Sequence, residues 1–394
     1  MERKILYGVI AALVFSATAA VAQTTWVVDQ GGGGDFATIQ ACIDGSTAGD
    51  TCLVNAGTYV EHLSLIGKNL TIISQDGPDI TTVDGNTGAG APVVWIDGGP
   101  VTLEGFTVTN GVYVVGGGVL VVGGTVRIRN CVIGGNTAGA LDVYSGGGGL
   151  YLSGAKATIE NCLIVNNEAI GNGWVSWASN GGAMLAESTD LTLTKCLITG
   201  NHVSIRGSGG AMVLSGTSAK ITNCTISGNQ DDSSGIGGIL IDDTSAPTIV
   251  NTILWNPGVE ISGGSATVTY SDVEGGFAGT GNVDADPLFV GSGDYHLNTG
   301  SPCIDAGYNT APQIPSTDLE GNVRLRDGDC DGVFTVDLGA YERLTSCGWG
   351  VASTAVAGHQ DGQGLRYSWA FNSVVVLLAP LSGLLLWRGL RRRR

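Results

Sequence analysis

Positive charge is scarce in this sequence. It has 18 lysine and arginine residues against 35 aspartate and glutamate residues, which gives a formal net charge of −17, and only 4 histidines. Residues 1–22 and 388–394 together contain one acidic and seven basic residues. Without these two segments, 34 acidic and 11 basic residues remain, which gives a net charge of about −23. Such a charge repels a phosphate backbone, which argues against nucleic acid as a partner, whereas extracellular calcium suits it.

A phosphate-binding loop is missing as well. The four consecutive glycines at 31–34 are not followed by Gly-Lys-Ser or Gly-Lys-Thr. Glycine is abundant, with 65 residues, but its positions recur along the chain, as expected for turns that need a positive φ.

A repeated seven-residue stretch organises the chain. Residues 223–229 read NCTISGN, and related stretches begin at 130, 161, 195 and 251. Steps of 31, 34, 28 and 28 residues are typical of a solenoid, whose repeats bury a core only by stacking. The second and fourth residues are mostly cysteine and isoleucine, which predicts a strand with these two positions facing inward.

Two further pieces recur in each repeat. A Gly-Gly pair followed by apolar residues begins at 117, 148, 181, 209 and 237, and a short apolar piece such as 157–159 lies between it and the first strand. We therefore predict a parallel β-helix with three short strands per coil. If the third and fifth residues of the Gly-Gly strands face inward, the fourth residues form an apolar stripe on the outside: Leu120, Tyr151, Met184, Met212 and Leu240.

The residues in the loops that precede these strands indicate a ligand-binding face. They contribute Tyr144, Trp174, Trp177, His202, Arg206, Asp231 and Asp232. Aromatic faces beside polar groups suit a sugar polymer, whose C–H surface stacks on rings while its hydroxyls form hydrogen bonds. With Tyr151, Met184 and Met212 from the stripe they form the predicted binding site. The alternative is that the loops fold back and bury the stripe.

Both ends carry targeting signals. Residues 1–22 have a basic start, an apolar run and small residues ending in Ala20-Val-Ala22, the pattern of a secretory signal peptide. An apolar run of 17 residues at 371–387, after a linker at 346–370, precedes a basic tail at 388–394. At 1.5 Å per residue a helix there is roughly 26 Å long, which predicts a membrane anchor with the tail in the cytoplasm. The same pattern resembles bacterial sorting signals, which a sorting protease cuts.

Residues 31–60 carry a family resemblance. Asp35-Phe36, Thr38-Ile39-Gln40, a short amphipathic helix and Ala56-Gly57-Thr58-Tyr59 resemble the start of pectin-lyase-like right-handed β-helices, pectin methylesterases among them. The resemblance implies a helix that caps the open end of the solenoid. The methylesterase aspartates, glutamine and arginine are not found in their motifs, and the polygalacturonase and lyase sets have no clear counterpart. No catalytic residues are therefore assigned.

The cysteines fall into two groups. Cys42 on the cap helix and Cys52 on the first strand are predicted to form a disulfide. The cysteines of the repeat occupy one inward position in successive coils and are predicted to form a ladder of free, buried thiols: Cys131, Cys162, Cys196 and Cys224. A zinc site is the alternative, which the lack of histidines in register disfavours.

A second resemblance begins where the repeat ends. Residues 282–289, 294–297, 300–307 and 336–342 resemble the choice-of-anchor module that follows β-helices in bacterial surface proteins, which implies surface display. Within it, carboxylates at positions one, three, five and eleven of a short loop predict a calcium site: Asp327, Asp329, Asp331 and Asp337.

The sequence thus predicts an all-β, right-handed parallel β-helix over 23–276 with an amino-terminal cap helix, a small irregular module over 277–345 and one transmembrane helix. The predicted function is that of an exported bacterial surface protein that binds a polysaccharide or another surface component. A polysaccharide lyase or glycoside hydrolase acting on the outer face of the helix is the alternative.

Overall fold

The computed structural model describes residues 22–86, 90–139, 145–170, 181–204 and 207–345. The first part holds the helix α1 (Ile39–Gly45) and the strands β1 (Thr25–Val28), β2 (Thr51–Val54), β3 (Gly57–Val60), β4 (Leu63–Ile66), β5 (Leu70–Ser74), β6 (Thr81–Asp84), β7 (Val94–Asp97), β8 (Pro100–Glu104) and β9 (Thr107–Thr109). The middle coils hold β10 (Val112–Tyr113), β11 (Val119–Val122), β12 (Thr125–Arg129), β13 (Val132–Gly134), β14 (Thr137–Ala138), β15 (Leu150–Ser153), β16 (Lys156–Glu160), β17 (Leu163–Val165), β18 (Glu168–Ile170), β19 (Met184–Glu187), β20 (Asp190–Thr194), β21 (Leu197–Thr199) and β22 (His202–Ser204). The last part holds β23 (Met212–Ser215), β24 (Ser218–Thr222), β25 (Thr225–Ser227), β26 (Gln230–Asp231), β27 (Ile239–Ile241), β28 (Thr248–Val250), β29 (Ile253–Trp255), β30 (Ile261–Ser262), β31 (Thr267–Thr269), β32 (Asp272–Val273), β33 (Phe289–Gly291) and β34 (Asp294–Leu297).

The strands stack coil upon coil into parallel sheets, which confirms the predicted β-solenoid. In the described residues the ten-stranded sheet runs β1-β2-β5-β8-β12-β16-β20-β24-β28-β31 and the nine-stranded sheet β3-β6-β9-β13-β17-β21-β25-β29-β32. The eight-stranded sheet runs β30-β27-β23-β19-β15-β11-β7-β4 and the five-stranded sheet β10-β14-β18-β22-β26, while β33 and β34 form an antiparallel pair. The five-stranded sheet adds a fourth strand to the three that the sequence predicts for each coil.

Alternation along the repeat sets the core, as the sequence predicts. The second and fourth residues of the repeat are buried between the sheets, and their cysteines are free thiols: Cys131, Cys162, Cys196 and Cys224. Burial raises the pKa of the Cys162 thiol, so it stays protonated. The first residue of the repeat turns the corner in the left-handed region, with φ of 53° at Asn130 and 51° at Asn223. Asparagine tolerates this conformation better than most residues do.

A buried asparagine ladder runs along the corner between the nine- and five-stranded sheets. The seventh residue of the first four repeats, and the sixth residue of the fifth, is an asparagine. The amide nitrogen of each donates to the side-chain oxygen of the next, through Asn136, Asn167, Asn201, Asn229 and Asn256. Glu260 ends the ladder by accepting from the Asn256 amide at 2.7 Å. Its burial raises its pKa from 4.5 to about 8. The ladder satisfies polar groups that would otherwise be unpaired in the core.

The predicted register of the Gly-Gly strands is wrong in two coils. Met184 pairs with Leu150 and with Met212, so both methionines face the core and are fully buried. The reason is the turn before the strand. Gly181 has a positive φ of 60° and therefore corresponds to Gly147, whose φ is 65°. Ala183 then occupies the position that a third glycine has in the earlier coil. A shift of one residue moves the side chain to the other face.

Short elements close the two ends of the solenoid. Helix α1 has seven residues, and Thr38 caps it by accepting the Ala41 N–H. A disulfide joins Cys42 on α1 to Cys52 on β2, with their Cα atoms 6.1 Å apart. At the other end, Phe277 packs against the core.

The predicted transmembrane helix requires a correction. In the part of the chain that the structure describes, no helix is long and apolar enough to cross a membrane. The segment on which that prediction rested, 371–387, lies outside the described residues, as do the linker at 346–370 and nearly all of the signal peptide. The fold class of the described residues is therefore an all-β solenoid, with no transmembrane helix among them.

The carboxy-terminal module packs against the outer face of the nine-stranded sheet. Leu197 of β21 forms a small core with residues of the module, Leu319, Ala340 and Tyr341, and Thr225 of β25 accepts the Ala340 N–H at 2.9 Å. Inside the module, a buried ion pair joins Arg324 to Glu342 at 2.8 Å. The module therefore covers the later coils of this face.

Candidate functional site

The predicted binding residues divide into four groups. Tyr144, Trp174, Trp177 and Arg206 lie outside the described residues. Met184 and Met212 are core residues and do not reach the outer face. Asp231 is buried and caps its own loop by accepting the Ser233 N–H at 2.8 Å and the Ser234 hydroxyl. Tyr151, His202 and Asp232 remain as accessible site residues.

One outward row crosses the eight-stranded sheet. Its members pair in successive coils: Trp95, Leu120, Tyr151, Leu185, Val213 and Leu240. Leu120, Leu185 and Val213 are buried, whereas Trp95, Tyr151 and Leu240 are partly exposed. The continuous exposed apolar stripe that the sequence predicts is therefore replaced by two aromatic rings separated by a buried leucine.

Trp95 is the residue that the repeat pattern did not reveal. Its coil carries Ala91-Pro92-Val93 where later coils carry the glycines, so the marker used to align the strands is missing there. The indole Nε1 of Trp95 is buried and has no hydrogen-bond partner among the described residues. An indole N–H is a donor only, so this group lacks an acceptor.

Tyr151 is held by a carboxylate from the neighbouring coil. Its hydroxyl donates to the carboxylate of Glu187. Glu187 lies two residues after the outward Leu185 in β19 and pairs with Ser153 in the same sheet. Burial and the Glu187 carboxylate raise the pKa of Tyr151 to about 12, so the hydroxyl stays protonated. The bond fixes the ring orientation on the outer face.

A polar cluster lies on the outer face of the five-stranded sheet. The His202 Nε2 is 2.9 Å from an Asp232 carboxylate oxygen, and its Nδ1 is 4.0 Å from Glu168. Ser204 donates to the same Glu168 oxygen at 2.9 Å, and Gln230 donates to Asp232 at 2.9 Å. The hydrogen bond from His202 lowers the pKa of Asp232, which keeps this carboxylate ionised at neutral pH.

The two faces are adjacent. Each strand of the five-stranded sheet precedes a strand of the eight-stranded sheet in the chain. The glycines before that second strand lie against the backbone of the five-stranded sheet in the following coil. A Cβ on Gly182 would come within 2.7 Å of the backbone nitrogen of His202, and a Cβ on Gly148 would come within 2.4 Å of the backbone carbonyl oxygen of Glu168. Glycine is therefore required where the two sheets meet.

The module contains a compact group of carboxylates. One oxygen each from Asp305, Asp327 and Asp329 lies within 4.8 Å of the others. Asp331 and Asp337 are not in this group: Asp331 accepts the Val333 N–H, and Asp337 accepts the Asp305 N–H at 2.7 Å. The sequence missed Asp305 because it lies 22 residues before the acidic loop.

The Asp305 carboxylate is poorly satisfied. Its Oδ1 is buried without a hydrogen-bond partner among the described residues, while Oδ2 accepts the Gly328 and Asp329 N–H groups at 2.8 Å each. Burial, followed by the neighbouring Asp337, raises its pKa to about 7. Three oxygens with one unsatisfied acceptor fit a hard cation such as calcium.

The family comparison matches most of the solenoid. A family model described as "Right handed beta helix region" matches residues 81–290, which are 210 of the 394 residues. No curated protein matches the sequence.

Solved structures match the chain at low sequence identity, with TM-scores below 0.5. Pectate lyase Pel9A is 15% identical with a TM-score of 0.42, over 82% of this chain and 97% of that one. Pectin methylesterase PemA from Erwinia chrysanthemi is 14% identical with a TM-score of 0.31, over 68% and 93%. A pectin methylesterase from carrot is 11% identical with a TM-score of 0.35, over 68% and 85%.

Proposed function

Because the chain belongs to the right handed beta helix family, which gives it a rigid outer surface of regularly spaced strands, we propose that it binds a carbohydrate chain on that surface. The binding face consists of the outward row of the eight-stranded sheet and the adjoining polar cluster on the five-stranded sheet. The observation that supports it best is the placement of Trp95 and Tyr151 in one outward row.

The spacing of the two rings suits a sugar chain that lies along the solenoid axis. Trp95 and Tyr151 are separated by two coils, which at about 4.8 Å per strand is roughly 10 Å. Rings at this separation are able to stack on two sugar units of one chain, with the apolar faces of the sugars against the aromatic faces.

Polar groups with unused capacity supply the hydrogen bonds. Asp232 and Glu168 have exposed side chains and accept from hydroxyl groups. A few placed polar groups beside an apolar surface are typical of ligand sites.

The test is calorimetric titration of the protein with a panel of oligosaccharides, repeated with Trp95→Ala and with Tyr151→Ala. We expect each variant to lose binding while its melting temperature stays close to that of the parent. Tyr308→Ala removes an exposed ring on the module and serves as control. Binding that survives both variants would contradict the proposal. New reducing or unsaturated ends in the same mixtures would favour the alternative of a hydrolase or lyase.

We also propose that the chain is exported and displayed at a bacterial cell surface. The proposal is supported by the signal-like start of the sequence, by the disulfide between Cys42 and Cys52, which suits an oxidising compartment, and by the resemblance of the module to choice-of-anchor modules. Its test is surface labelling of whole cells that express the full chain. Label confined to lysed cells would contradict it.

Calcium is the proposed ligand of the module. Asp305, Asp327 and Asp329 would hold it, because a cation would satisfy the unpaired Asp305 oxygen. If calcium binds only the folded state, it stabilises the folded protein by about 2.7 kcal/mol when its concentration is a hundredfold above Kd. Melting with calcium and with chelator should therefore differ. Asp305→Asn should abolish the difference, and Asp331→Asn, outside the group, should keep it. Identical melts of the parent protein would refute the site.

A further inference from the structure

Within the described strands, lysine and arginine are confined to one sheet of the solenoid. Every lysine and arginine that lies within a strand belongs to the ten-stranded sheet: Arg127, Arg129, Lys156 and Lys220. The described strands of the eight- and five-stranded sheets contain no lysine or arginine, but they contain Asp97, Glu168, Glu187 and Asp231, and Asp232 follows β26 directly. The ten-stranded sheet also contains acidic residues, but two of them, Glu104 and Glu160, form ion pairs with Arg129 and Arg127. The proposed binding face is thus lined by acidic groups, in a protein whose net charge is already −17.

Two of these carboxylates are accessible to a ligand. The side chains of Glu168 and Asp232 are 39% and 46% exposed. They flank His202 on the same face, and neither forms an ion pair with a lysine or arginine in the described residues. Their hydrogen bonds, from Ser204 to Glu168 and from His202 and Gln230 to Asp232, leave further lone pairs open on each carboxylate.

This charge pattern selects among sugar polymers. A chain that carries carboxylates would bring like charges next to Glu168 and Asp232, which disfavours binding. A chain that carries ammonium groups would form charge-assisted hydrogen bonds with the same two side chains. A neutral chain would gain only stacking and ordinary hydrogen bonds.

We propose that the face takes an amino-sugar polysaccharide, with its ammonium groups on Glu168 and Asp232 and its rings on Trp95 and Tyr151, and that it excludes polyuronates. This inference rests on the proposed carbohydrate-binding function and names the class of ligand. A preference for amino sugars that depends on two side chains of one face differs from the general attraction of any cation to an acidic protein.

The test compares three oligomers of equal length: glucosamine, N-acetylglucosamine and galacturonate. Exposed ion pairs have modest strength, so two of them should give the glucosamine oligomer about tenfold tighter binding than its acetylated form at low salt. The preference should shrink at high salt, since salt screens exposed charges. The galacturonate oligomer should bind most weakly.

Paired variants separate a local site from overall charge. The double variant Glu168→Gln, Asp232→Asn should bind the glucosamine and acetylated oligomers alike. The control Asp44→Asn, Asp190→Asn removes two exposed carboxylates elsewhere, on the cap helix and on the ten-stranded sheet, and should keep the preference.

Each other outcome counts against a specific claim. Equal binding of the glucosamine and acetylated oligomers by the parent protein, or tighter binding of galacturonate, would overturn the ligand class and leave the carbohydrate-binding function standing. An equal effect of both double variants would overturn the assignment to Glu168 and Asp232. Binding of none of the three would refute this inference, and the proposed function would fail with it if the wider panel is also not bound.

Discussion

Removing one rung of the asparagine ladder should strongly destabilise the solenoid. Asn201 is 1% exposed and sits in the middle of the ladder. Its amide nitrogen donates at 2.8 Å to both the Ile164 carbonyl and the Asn229 side chain. Its oxygen accepts the backbone N–H and the side-chain amide of Asn167 at 3.0 and 2.9 Å. The substitution Asn201→Ala removes these four bonds, together with a longer one from the same amide to the Thr199 carbonyl at 3.1 Å.

The size of the effect follows from these bonds. A buried hydrogen bond contributes a net of about 0.5–1.5 kcal/mol, so four of them amount to about 2–6 kcal/mol. The partners of Asn201 are left in the core, where water does not replace the lost bonds, which places the expected loss in the upper part of that range. Total stabilities of about 5–15 kcal/mol make such a loss easy to measure.

Urea unfolding is the appropriate assay. The midpoint for Asn201→Ala should fall clearly while the slope stays that of the parent, as expected when stability alone changes. Asn298→Ala replaces an exposed asparagine and should change the free energy of unfolding by no more than about 0.5 kcal/mol. A loss at Asn201 no larger than that of the control would refute the view that the ladder holds the coils together.

Three further predictions concern buried or paired groups. The hydrogen bond to Glu320 is the main cause that raises the pKa of His296 to about 9. The protonated His296 therefore stabilises the folded protein fully below about pH 6.5, and this stabilisation is lost as the pH rises through about 9. The melting temperatures of His296→Ala and the parent should therefore differ most in acid and converge above about pH 9, and a constant gap would contradict this. Burial raises the pKa of Glu260 to about 8, so stability should decline as the pH rises from about 4.5 through 8, and Glu260→Gln should flatten that decline in pH-dependent melts. Cys196→Ser should cost about 1–3 kcal/mol of unfolding free energy in urea titrations, because it places a hydroxyl in the core; a neutral effect would argue against the buried thiol ladder.

The repeat made the solenoid predictable because strand alternation is a local property. Cys131 and Ile133 face inward as their spacing indicates, and the same holds for their counterparts in later coils. The asparagine at the end of the first four repeats was visible in the sequence, but its role depends on the neighbouring coil. Only the stacked structure shows that Asn136 bonds to Asn167.

The register of the Gly-Gly strands was harder to predict because two adjacent glycines look alike in sequence. Their backbone torsions differ: Gly181 has a positive φ, whereas Gly182 lies against the His202 backbone. Choosing the wrong member of the pair placed Met184 on the surface instead of in the core.

Contacts between distant segments were not predictable from the sequence. Asp305 joins the acidic loop only because the module folds over itself, and Leu197 is covered only because the module returns to the nine-stranded sheet. Trp95 joined the candidate site only after the pairing of β7 with β11 was known.

The most direct test of the central claim is a crystal structure of the protein with a bound amino-sugar oligomer. We predict that the sugar lies along the outer face of the eight-stranded sheet, with rings stacked on Trp95 and Tyr151 and an ammonium group next to Glu168 or Asp232. A sugar found on the ten-stranded sheet or on the carboxy-terminal module, with the Trp95 and Tyr151 rings uncovered, would contradict the account.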